Sequence, residues 1–447
     1  MPLESEKEGA SDANPRPLDI LRAKLAATSA LRPTGRVLGV TGLSLRFSMP
    51  GVRVGDVVMV KRRGEPLACE VVGFEKGEAV GMPLGAITGV GPDDEVESTG
   101  TGFVVRASEA LLGRVVDGLG RPIDGRGPIE GGVVVPVDAD PPIALERRPV
   151  TKPLPTGVRV IDGLLTMGEG QRVGLFAGSG VGKSTLLGAI ARGTAADVVV
   201  VALVGERGRE VGEFLEHSLG EEGRRRSVVV VATSDVAALE RLRAAQVATA
   251  YAEHFRNEGR SVMLLVDSVT RFARAQREVG LAAGEPPARR GYPPSVFAML
   301  PRLLERSGQG ARGAITAIYT VLVEGGDMDE PIADEVRGIL DGHVVLDRTI
   351  AARGRYPAVD PTLSLSRVMD AVVAPAHRDT ARRLRSLVAH YEAKRDLVTL
   401  GAYAKGSDKE LDDAIARMPK VEQFLRQSPA DRVAFDETVA TLARVVA

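Results

Sequence analysis

The sequence is poor in residues that build disulfides, metal cages and stacking platforms. Its 447 residues include one cysteine, Cys69, and no tryptophan, and aromatic residues make up 4% of the chain. A single cysteine excludes an internal disulfide framework and favours a reducing compartment. Cys69 stands in the strand-like run LACEVVGF and is expected to be a small buried residue. The histidines show no ligand spacing, so no metal cage of histidine and cysteine is predicted.

Long apolar runs and an excess of one charge are also missing. The apolar run at residues 198–204 is far too short to cross a bilayer, and no signal peptide is apparent at the N-terminus. The net charge of −1 gives no electrostatic case for binding to nucleic acid or to an anionic membrane. These features predict a cytoplasmic protein that is still able to dock on a membrane machine.

The most informative stretch, residues 174–193, reads GLFAGSGVGKSTLLGAIARG. An apolar run, a glycine-rich turn, Lys183 and a helical pattern follow one another in the order that a phosphate-binding loop requires. Glycines let backbone N–H groups point at anionic oxygens, the lysine reaches the β- and γ-phosphates, and the next hydroxyl binds Mg²⁺. Ala177 replaces the first glycine of the usual motif, at a strand end where a methyl group is tolerable. The predicted nucleotide-binding residues of the loop are Gly178, Gly180, Val181, Gly182, Lys183, Ser184 and Thr185.

Four parts of different composition follow one another along the chain. Residues 1–30 are predicted to be a flexible extension, in which residues 18–31 form a short amphipathic helix that packs on its own domain or docks on a partner. Short strand-like runs, among them GFVVRA, predict a β-barrel over residues 31–105. Residues 106–375 alternate apolar strands with helical patterns, which predicts an α/β domain with a mainly parallel sheet, and residues 376–447 are helical.

Helix starts in the last part of the chain are predicted from capping residues. Ser407 and Glu410 form a capping box ahead of Leu411. The string SPAD, which begins at Ser428, is expected to start the last helix.

Three apolar runs of the α/β part end in polar turns, and these turns are expected to share one site because ligands bind beyond the carboxyl ends of such strands. The first run, Arg172–Ala177, leads into the phosphate loop. Glu206 follows the second run and is placed to orient and deprotonate an attacking water. Arg207 is a candidate to steady the phosphates, and Glu210 to hold a water of the Mg²⁺ shell. The alternative for this charge cluster is a solvated turn.

Asp267 ends the third run, in VMLLVDSVTRFARAQRE. An apolar strand that ends in aspartate is the second signature of phosphate-loop enzymes, and its carboxylate helps to hold Mg²⁺. Hydrolysis also needs positive charge on the transferred phosphoryl group, often from an arginine. Spacing alone does not identify that arginine.

The combined motifs resemble the hexameric ATPases related to the catalytic subunit of rotary ATP synthases. Within that group the sequence is most similar to the type III protein-export ATPases of the bacterial flagellum and the injectisome. The resemblance spans roughly residues 31–427 and rests on AGSGVGKSTLLG, VGERGREVGEF, LLVDSVTRFARAQRE, GEPPARRGYPPSVFAMLPRLLERSG, YTVLVEGGDMDEPIADEVRGILDGHVVLDR and GRYPAVDPTLSLSR.

The resemblance implies a β-barrel, a RecA-like ATPase domain and a helical C-terminal domain, assembled as a ring of six. It assigns phosphate and Mg²⁺ binding to Lys183 with Ser184 or Thr185, catalysis to Glu206 with support from Arg207 and Glu210, and metal binding to Asp267. It further implies that Tyr356 stacks on the adenine of ATP and that Arg367 is an arginine finger in the neighbouring subunit's site. Core packing is the alternative for Tyr356, and a surface or interface ion pair for Arg367.

The resemblance favours an ATP-hydrolysing motor that releases chaperones from export substrates and unfolds them. One alternative is the catalytic subunit of a rotary ATPase, but LVTLGAYAKGSDKE lacks the acidic loop typical of that subunit. A nucleotide-holding ring subunit or a nucleic-acid translocase of similar fold is a further alternative. Implied partners are a stator-like regulator at the N-terminus, a central coiled-coil stalk, chaperones with their cargo and a membrane export apparatus, without nucleic acid. The implied location is cytoplasmic, at the periphery of the inner membrane.

Overall fold

A closed β-barrel opens the part of the chain that the computed structural model describes, residues 33–447. The predicted helix at residues 18–31 and the extension before it lie outside the described residues. Antiparallel neighbours close the barrel in the order β1-β2-β5-β4-β3-β6. Cys69 lies in the barrel core, as predicted for a small buried residue. Burial raises the pKa of its thiol. The strands are β1 (Thr34–Thr41), β2 (Ser44–Ser48), β3 (Asp56–Lys61), β4 (Leu67–Glu75), β5 (Glu78–Pro83) and β6 (Glu95–Gly102).

The run GFVVRA does not join the barrel, contrary to the prediction from its strand-like texture. It forms β7 (Val104–Ala107), which pairs antiparallel with β9 (Val133–Pro136) in a separate two-stranded sheet. Strand propensity identified the element, but the pairing depends on a partner strand that comes much later in the chain.

A large mixed sheet follows, with the order β17-β16-β10-β15-β13-β11-β12-β8. All neighbours from β16 to β8 are parallel, whereas β17 pairs antiparallel with β16 and β14 with β15. The carboxyl ends of the parallel strands therefore meet at one edge. The strands are β8 (Val115–Asp117), β10 (Arg172–Ala177), β11 (Val198–Glu206), β12 (Ser227–Thr233), β13 (Ser261–Asp267), β14 (Gly308–Gln309), β15 (Ala314–Leu322), β16 (Gly342–Leu346) and β17 (Leu365–Ser366).

Helices cover both faces of this sheet, which is why its central strands read as continuous apolar runs. In β11, Val200 and Ala202 face one core cluster, while Val199 and Val201 face the other. The helices are α1 (Arg159–Leu164), α2 (Lys183–Gly193), α3 (Gly208–Glu213), α4 (Gly220–Arg225), α5 (Ala238–Asn257), α6 (Val269–Ala282), α7 (Pro294–Glu305), α8 (Pro331–Ile339), α9 (Arg348–Ala352) and α10 (Met369–Val372). A π-helical turn lies at Phe214–Leu219, and 3₁₀ turns lie at Glu109–Leu111, Ala144–Glu146, Arg289–Gly291 and Glu324–Gly326.

The chain ends in three helices, α11 (Pro375–Thr399), α12 (Lys409–Leu425) and α13 (Phe435–Val446), which share a core with α1 and α2. The predicted caps are wrong in detail. Asp408 caps α12, because its Oδ1 accepts from the N–H groups of Glu410 at 3.0 Å and Leu411 at 3.2 Å. The Ser407 hydroxyl instead donates to the Ala404 carbonyl. The segment from Ser428 forms a turn, and the last helix begins only at Phe435.

A buried ion pair joins the barrel to the large sheet's helices. Arg243 of α5 donates to both carboxylate oxygens of Glu70 in β4 and to Gln246 Oε1 at 2.8 Å, and both charged side chains are less than a tenth exposed. The Arg243 guanidinium also lies 5.6 Å from the centre of the Phe103 ring. Removing one partner of a buried ion pair is strongly destabilising, because the other charge is left buried without compensation.

We expect Glu70→Ala to lower the free energy of unfolding by about 3–5 kcal/mol, because it removes the buried carboxylate that pairs with Arg243 and leaves only the exposed carboxylate of Asp138, 4.0 Å away. Urea titration measures this loss. The matched control is Glu78→Ala on the same barrel, which removes a half-exposed pair with Arg46 and is expected to cost about 0–1 kcal/mol. Equal losses in the two variants would contradict a structural role for the buried pair.

Candidate nucleotide site

The phosphate loop lies at the carboxyl end of β10, where α2 begins with Lys183. Gly180 and Gly182 have φ angles of +77° and +87°, a region that L side chains rarely adopt. Buried Val181 anchors the loop in the core beneath. A Cβ placed on Gly178 would lie 2.7 Å from Arg348 Nε, so this glycine lets the first residue of α9 approach the loop. The loop therefore presents backbone N–H groups and the α2 N-terminus to an anion.

Charged side chains from two strands and two helices meet beside the loop. The Lys183 ammonium lies 3.2 Å from Glu206 Oε1 and also binds the Asp267 carboxylate. Arg271 forms an ion pair with the same oxygen of Glu206. Thr320 on β15 donates to Asp267 Oδ1 at 2.7 Å, which fixes that carboxylate. Two cations and two carboxylates are thus paired where the sequence predicted one shared site.

Four further predicted groups, Ser184, Thr185, Arg207 and Glu210, line a cavity of about 410 Å³ beside the loop. Ser184 and Thr185 line it from the first turn of α2 with exposed side chains. Arg207 and Glu210 also line it, and Arg207 is 76% exposed, with its Nη1 3.4 Å from Glu210 Oε1. The cavity is therefore lined by hydroxyls, carboxylates and cations. The cations suit the phosphates of a nucleotide. The hydroxyl and carboxylate oxygens suit Mg²⁺, which usually binds one or two protein carboxylates together with phosphate oxygens.

Three arginines of this cavity were missed by the sequence argument: Arg271, Arg274 and Arg348. Arg271 lies one helical turn beyond Asp267, because Ser268 caps α6 and the helix starts directly after the strand. Arg348 follows β16, which pairs with β10, so its position at the same sheet edge depends on strand order. Glu206 and Asp267 were predicted because ligands bind beyond the carboxyl ends of parallel strands. The same rule would have predicted Arg271 and Arg348 if the order of the strands in the sheet had been known.

Tyr356 lies on the other side of the loop and is 43% exposed. A side-chain carbon on Gly182 would lie 3.5 Å from two carbons of the Tyr356 ring. The ring contributes to a second cavity, of about 240 Å³, with Val158, Leu186 and Pro429. The tyrosine therefore borders an open pocket and is not enclosed in the core.

Arg367 lies away from the phosphate loop and from the two cavities beside it. It directly follows β17, and its N–H donates to the carbonyl of Asp341, the residue before β16. This places Arg367 at the amino edge of the sheet, opposite the phosphate loop of its own chain, whose cavity it does not line. Within residues 33–447 its exposed guanidinium has no acidic partner within ion-pair distance.

Comparison with known proteins gives the family. The sequence matches the ATP synthase alpha/beta family, nucleotide-binding domain, over residues 157–366 and the T3SS EscN ATPase C-terminal domain over residues 373–444. It is 50% identical over 418 residues to the flagellum-specific ATP synthase of Bacillus subtilis, covering 93% of this chain and 95% of that protein. It is 51% identical over 427 residues to the type 3 secretion system ATPase of Xanthomonas euvesicatoria, covering 95% and 97%. The chain belongs to the family of type III secretion and flagellum-specific ATPases.

Solved structures of this family have the same fold. The assembled ATPase EscN of the enteropathogenic E. coli type III secretion system matches with a TM-score of 0.86 and 44% identity, over 92% of this chain and all of that one. EscN in complex with its central stalk EscO matches equally well. The predicted family, fold class and ATP-hydrolysing activity are confirmed, and the rotary-subunit and translocase alternatives are not favoured. In the described part of the chain, the helices are too short or too polar to cross a membrane.

Proposed function

We propose that this chain is the ATP-hydrolysing motor of a type III protein export system, flagellar or injectisome, which releases chaperones from export substrates and unfolds them. The observation that carries the proposal is the meeting of Lys183, Glu206 and Asp267 beside a phosphate loop, in a chain about half identical to ATPases of both export branches.

Nucleotide binding is assigned to the loop and to Tyr356. The backbone N–H groups of Gly178, Gly180, Val181 and Gly182, with the Lys183 ammonium, would hold the phosphates of ATP. Tyr356 would stack on the adenine, since the ring borders an apolar pocket next to the loop.

Mg²⁺ binding is assigned to Ser184 or Thr185, Asp267 and Glu210. These side chains face the same cavity or its rim, and they supply the hydroxyl and carboxylate oxygens that Mg²⁺ takes alongside phosphate oxygens. When bound, the ion neutralises charge that develops on the β- and γ-phosphates.

Glu206 is the proposed catalytic base. A bound triphosphate attracts the Lys183 ammonium, which now binds Glu206 Oε1, so that Arg271 remains the only cation on that oxygen within the described residues and the other oxygen of the carboxylate is available to a water. The buried position of Glu206, 6% exposed, limits competing solvent. Arg207, which is exposed on the cavity rim, would steady the phosphates.

Arg367 is proposed to complete the site of a neighbouring copy in a ring of six. It lies at the far edge of the sheet from its own phosphate loop, and its guanidinium is exposed. The match to an assembled EscN supports a ring.

The proposed domains are the extension at residues 1–30, the barrel at 31–105, the RecA-like ATPase domain at 106–375 and the helical domain at 376–447. We assign the extension to a stator-like regulator and the ring centre to a coiled-coil stalk, for which the EscN–EscO complex is the supporting case. Chaperones and their cargo, and docking from the cytoplasm on the inner-membrane export apparatus, complete the proposal. Nucleic acid is not a proposed partner.

The test is the ATPase rate per chain against protein concentration, with particle mass measured on the same samples. We expect the specific rate to rise steeply as rings form, because a lone chain lacks the finger. A constant specific rate from a stable monomer would contradict an inter-subunit site.

A further inference from the structure

A separate cavity of about 200 Å³ lies where the segment after α9 meets helices α11 and α12. It shares no lining residue with the two cavities beside the phosphate loop. Four arginines and two glutamates supply its charged groups, so the lining carries an excess of two positive charges in a chain whose net charge is −1. These groups are Arg353, Arg355, Arg395, Arg426, Glu392 and Glu422.

Glu392 is shared between two of these arginines, and a third arginine has no carboxylate. Glu392 Oε1 lies 3.0 Å from Arg353 Nη1, and its Oε2 lies 3.3 Å from Arg395 Nη1. Within residues 33–447, exposed Arg426 has no acidic partner within ion-pair distance. Because a guanidinium carries five N–H groups, each of these three arginines keeps donors for a further anion.

Arg355 is the buried arginine of the cavity, at 6% exposed. Its Nη1 lies 3.3 Å from Glu422 Oε1, and its Nη2 donates to the Val359 carbonyl at 3.2 Å. Burial lowers the pKa of Arg355 below its ordinary value, so the neighbouring carboxylates do not fully offset the cost of burying this charge. A further negative charge in the cavity would stabilise the guanidinium.

We propose that this cavity binds a small oxyanion with two negative charges, of the class of inorganic phosphate. Guanidinium groups match the oxygens of a phosphate with paired, charge-assisted hydrogen bonds. The volume equals that of about six or seven water molecules, which is enough for a phosphate with a few waters and below the roughly 300 Å³ at which small-molecule pockets begin. Inorganic phosphate is also a product of the ATP hydrolysis that this chain carries out.

The cavity lies next to the pocket that contains Tyr356, although it is separate from it. Arg355 and Arg426 directly precede Tyr356 and Gln427, which both line that pocket. The Gln427 N–H donates to the Tyr356 carbonyl at 2.9 Å. An anion that binds both arginines would therefore hold these two segments together, which predicts that it raises the melting temperature of the chain.

The test titrates the full-length Lys183→Ala chain with potassium phosphate, because this substitution removes the lysine of the phosphate loop. Calorimetry gives the Kd, and thermal unfolding is followed on the same samples. Potassium chloride at equal ionic strength is the reference for general screening. We expect one phosphate to bind per chain with a Kd of about 1 mM or tighter, and phosphate but not chloride to raise the melting temperature. Absence of saturable binding at phosphate concentrations up to about 20 mM would overturn the proposal.

Arg426→Glu, added to the Lys183→Ala chain, removes the arginine without an acidic partner and puts a carboxylate in its place. We expect it to weaken phosphate binding by about 10–150-fold, the value of a hydrogen bond to a charged group. The matched control is Arg382→Ala on α11, which lies outside the cavity and is 62% exposed, and which should leave the Kd unchanged. Circular dichroism without phosphate checks that each variant is folded.

Glu392→Gln, in the same Lys183→Ala chain, should shift the affinity in the opposite direction. It removes the carboxylate that now holds Arg353 and Arg395, so that both arginines are free to bind the anion. We expect phosphate to bind up to about fivefold more tightly, the value of a part-exposed ion pair. If phosphate binds with the same Kd in folded Arg426→Glu and Glu392→Gln variants as in their parent, it binds elsewhere, and the proposal is overturned.

Discussion

Glu206→Gln is expected to lower ATP turnover by about 10²–10⁴, the usual contribution of a general base, while nucleotide still binds. Glutamine keeps an oxygen near Lys183 and Arg271 but cannot take a proton from water. The substitution also removes the negative charge that now competes with phosphate for the Lys183 ammonium. Nucleotide affinity should therefore stay the same or rise, which calorimetry measures alongside phosphate release.

The control is Glu213→Gln, the same change on exposed α3, where the carboxylate pairs only with Arg209 at 2.7 Å in the described chain. Its turnover should match the unmodified chain. Unchanged turnover in Glu206→Gln would remove Glu206 as the base. Loss of binding together with turnover would indicate that Glu206 acts by shaping the loop.

The parts of the site that sequence alone predicted are those encoded by one segment. The phosphate loop combines a strand, positive-φ glycines and a helix start within residues 174–193, so its spacing is sufficient evidence. Glu206 and Asp267 are also local signals, because each ends an apolar strand. The sequence showed that each side chain lies at a strand end. It did not show that both would bind the same lysine.

What sequence missed depends on which segments become neighbours. Arg348 reaches Gly178 because β16 pairs with β10, although the two strands are far apart in the chain. The sequence also did not show that β7 pairs outside the barrel, because its partner strand β9 comes later in the chain. At the start of α12 the error was local. Two adjacent polar residues could cap the helix, and the extended backbone of Asp408 decides between them.

Arg367→Ala is expected to lower turnover by about 10³–10⁵ without preventing nucleotide binding, as for loss of an arginine finger. A finger at Arg367 would have to act on another chain, because of its place in the sheet. Arg367 lies beside the amino end of β16, and the phosphate loop follows the carboxyl end of parallel β10. The six residues of β10 separate these edges by about 20 Å, at roughly 3.3 Å per residue, which is too far for one side chain to span.

Mixing Arg367→Ala chains with Lys183→Ala chains tests this requirement. Each variant alone is expected to be nearly inactive, the first because it would lack the finger and the second because it would lack the phosphate-binding lysine. In a mixed ring, an Arg367→Ala chain keeps its own phosphate loop and receives an intact finger from a Lys183→Ala neighbour. Random assortment of equal amounts makes roughly a quarter of the interfaces productive, since each interface joins two independently drawn chains.

We therefore expect mixing to restore a substantial part of the lost activity, provided that particle mass shows intact rings. Arg225→Ala is the matched control, because this arginine is 78% exposed on α4 and its recorded ion pair is a long one with Glu221. It should assemble and hydrolyse ATP normally. Intact mixed rings without recovered activity would show that Arg367 does not act between chains, because every other group of the site is present in half of the subunits.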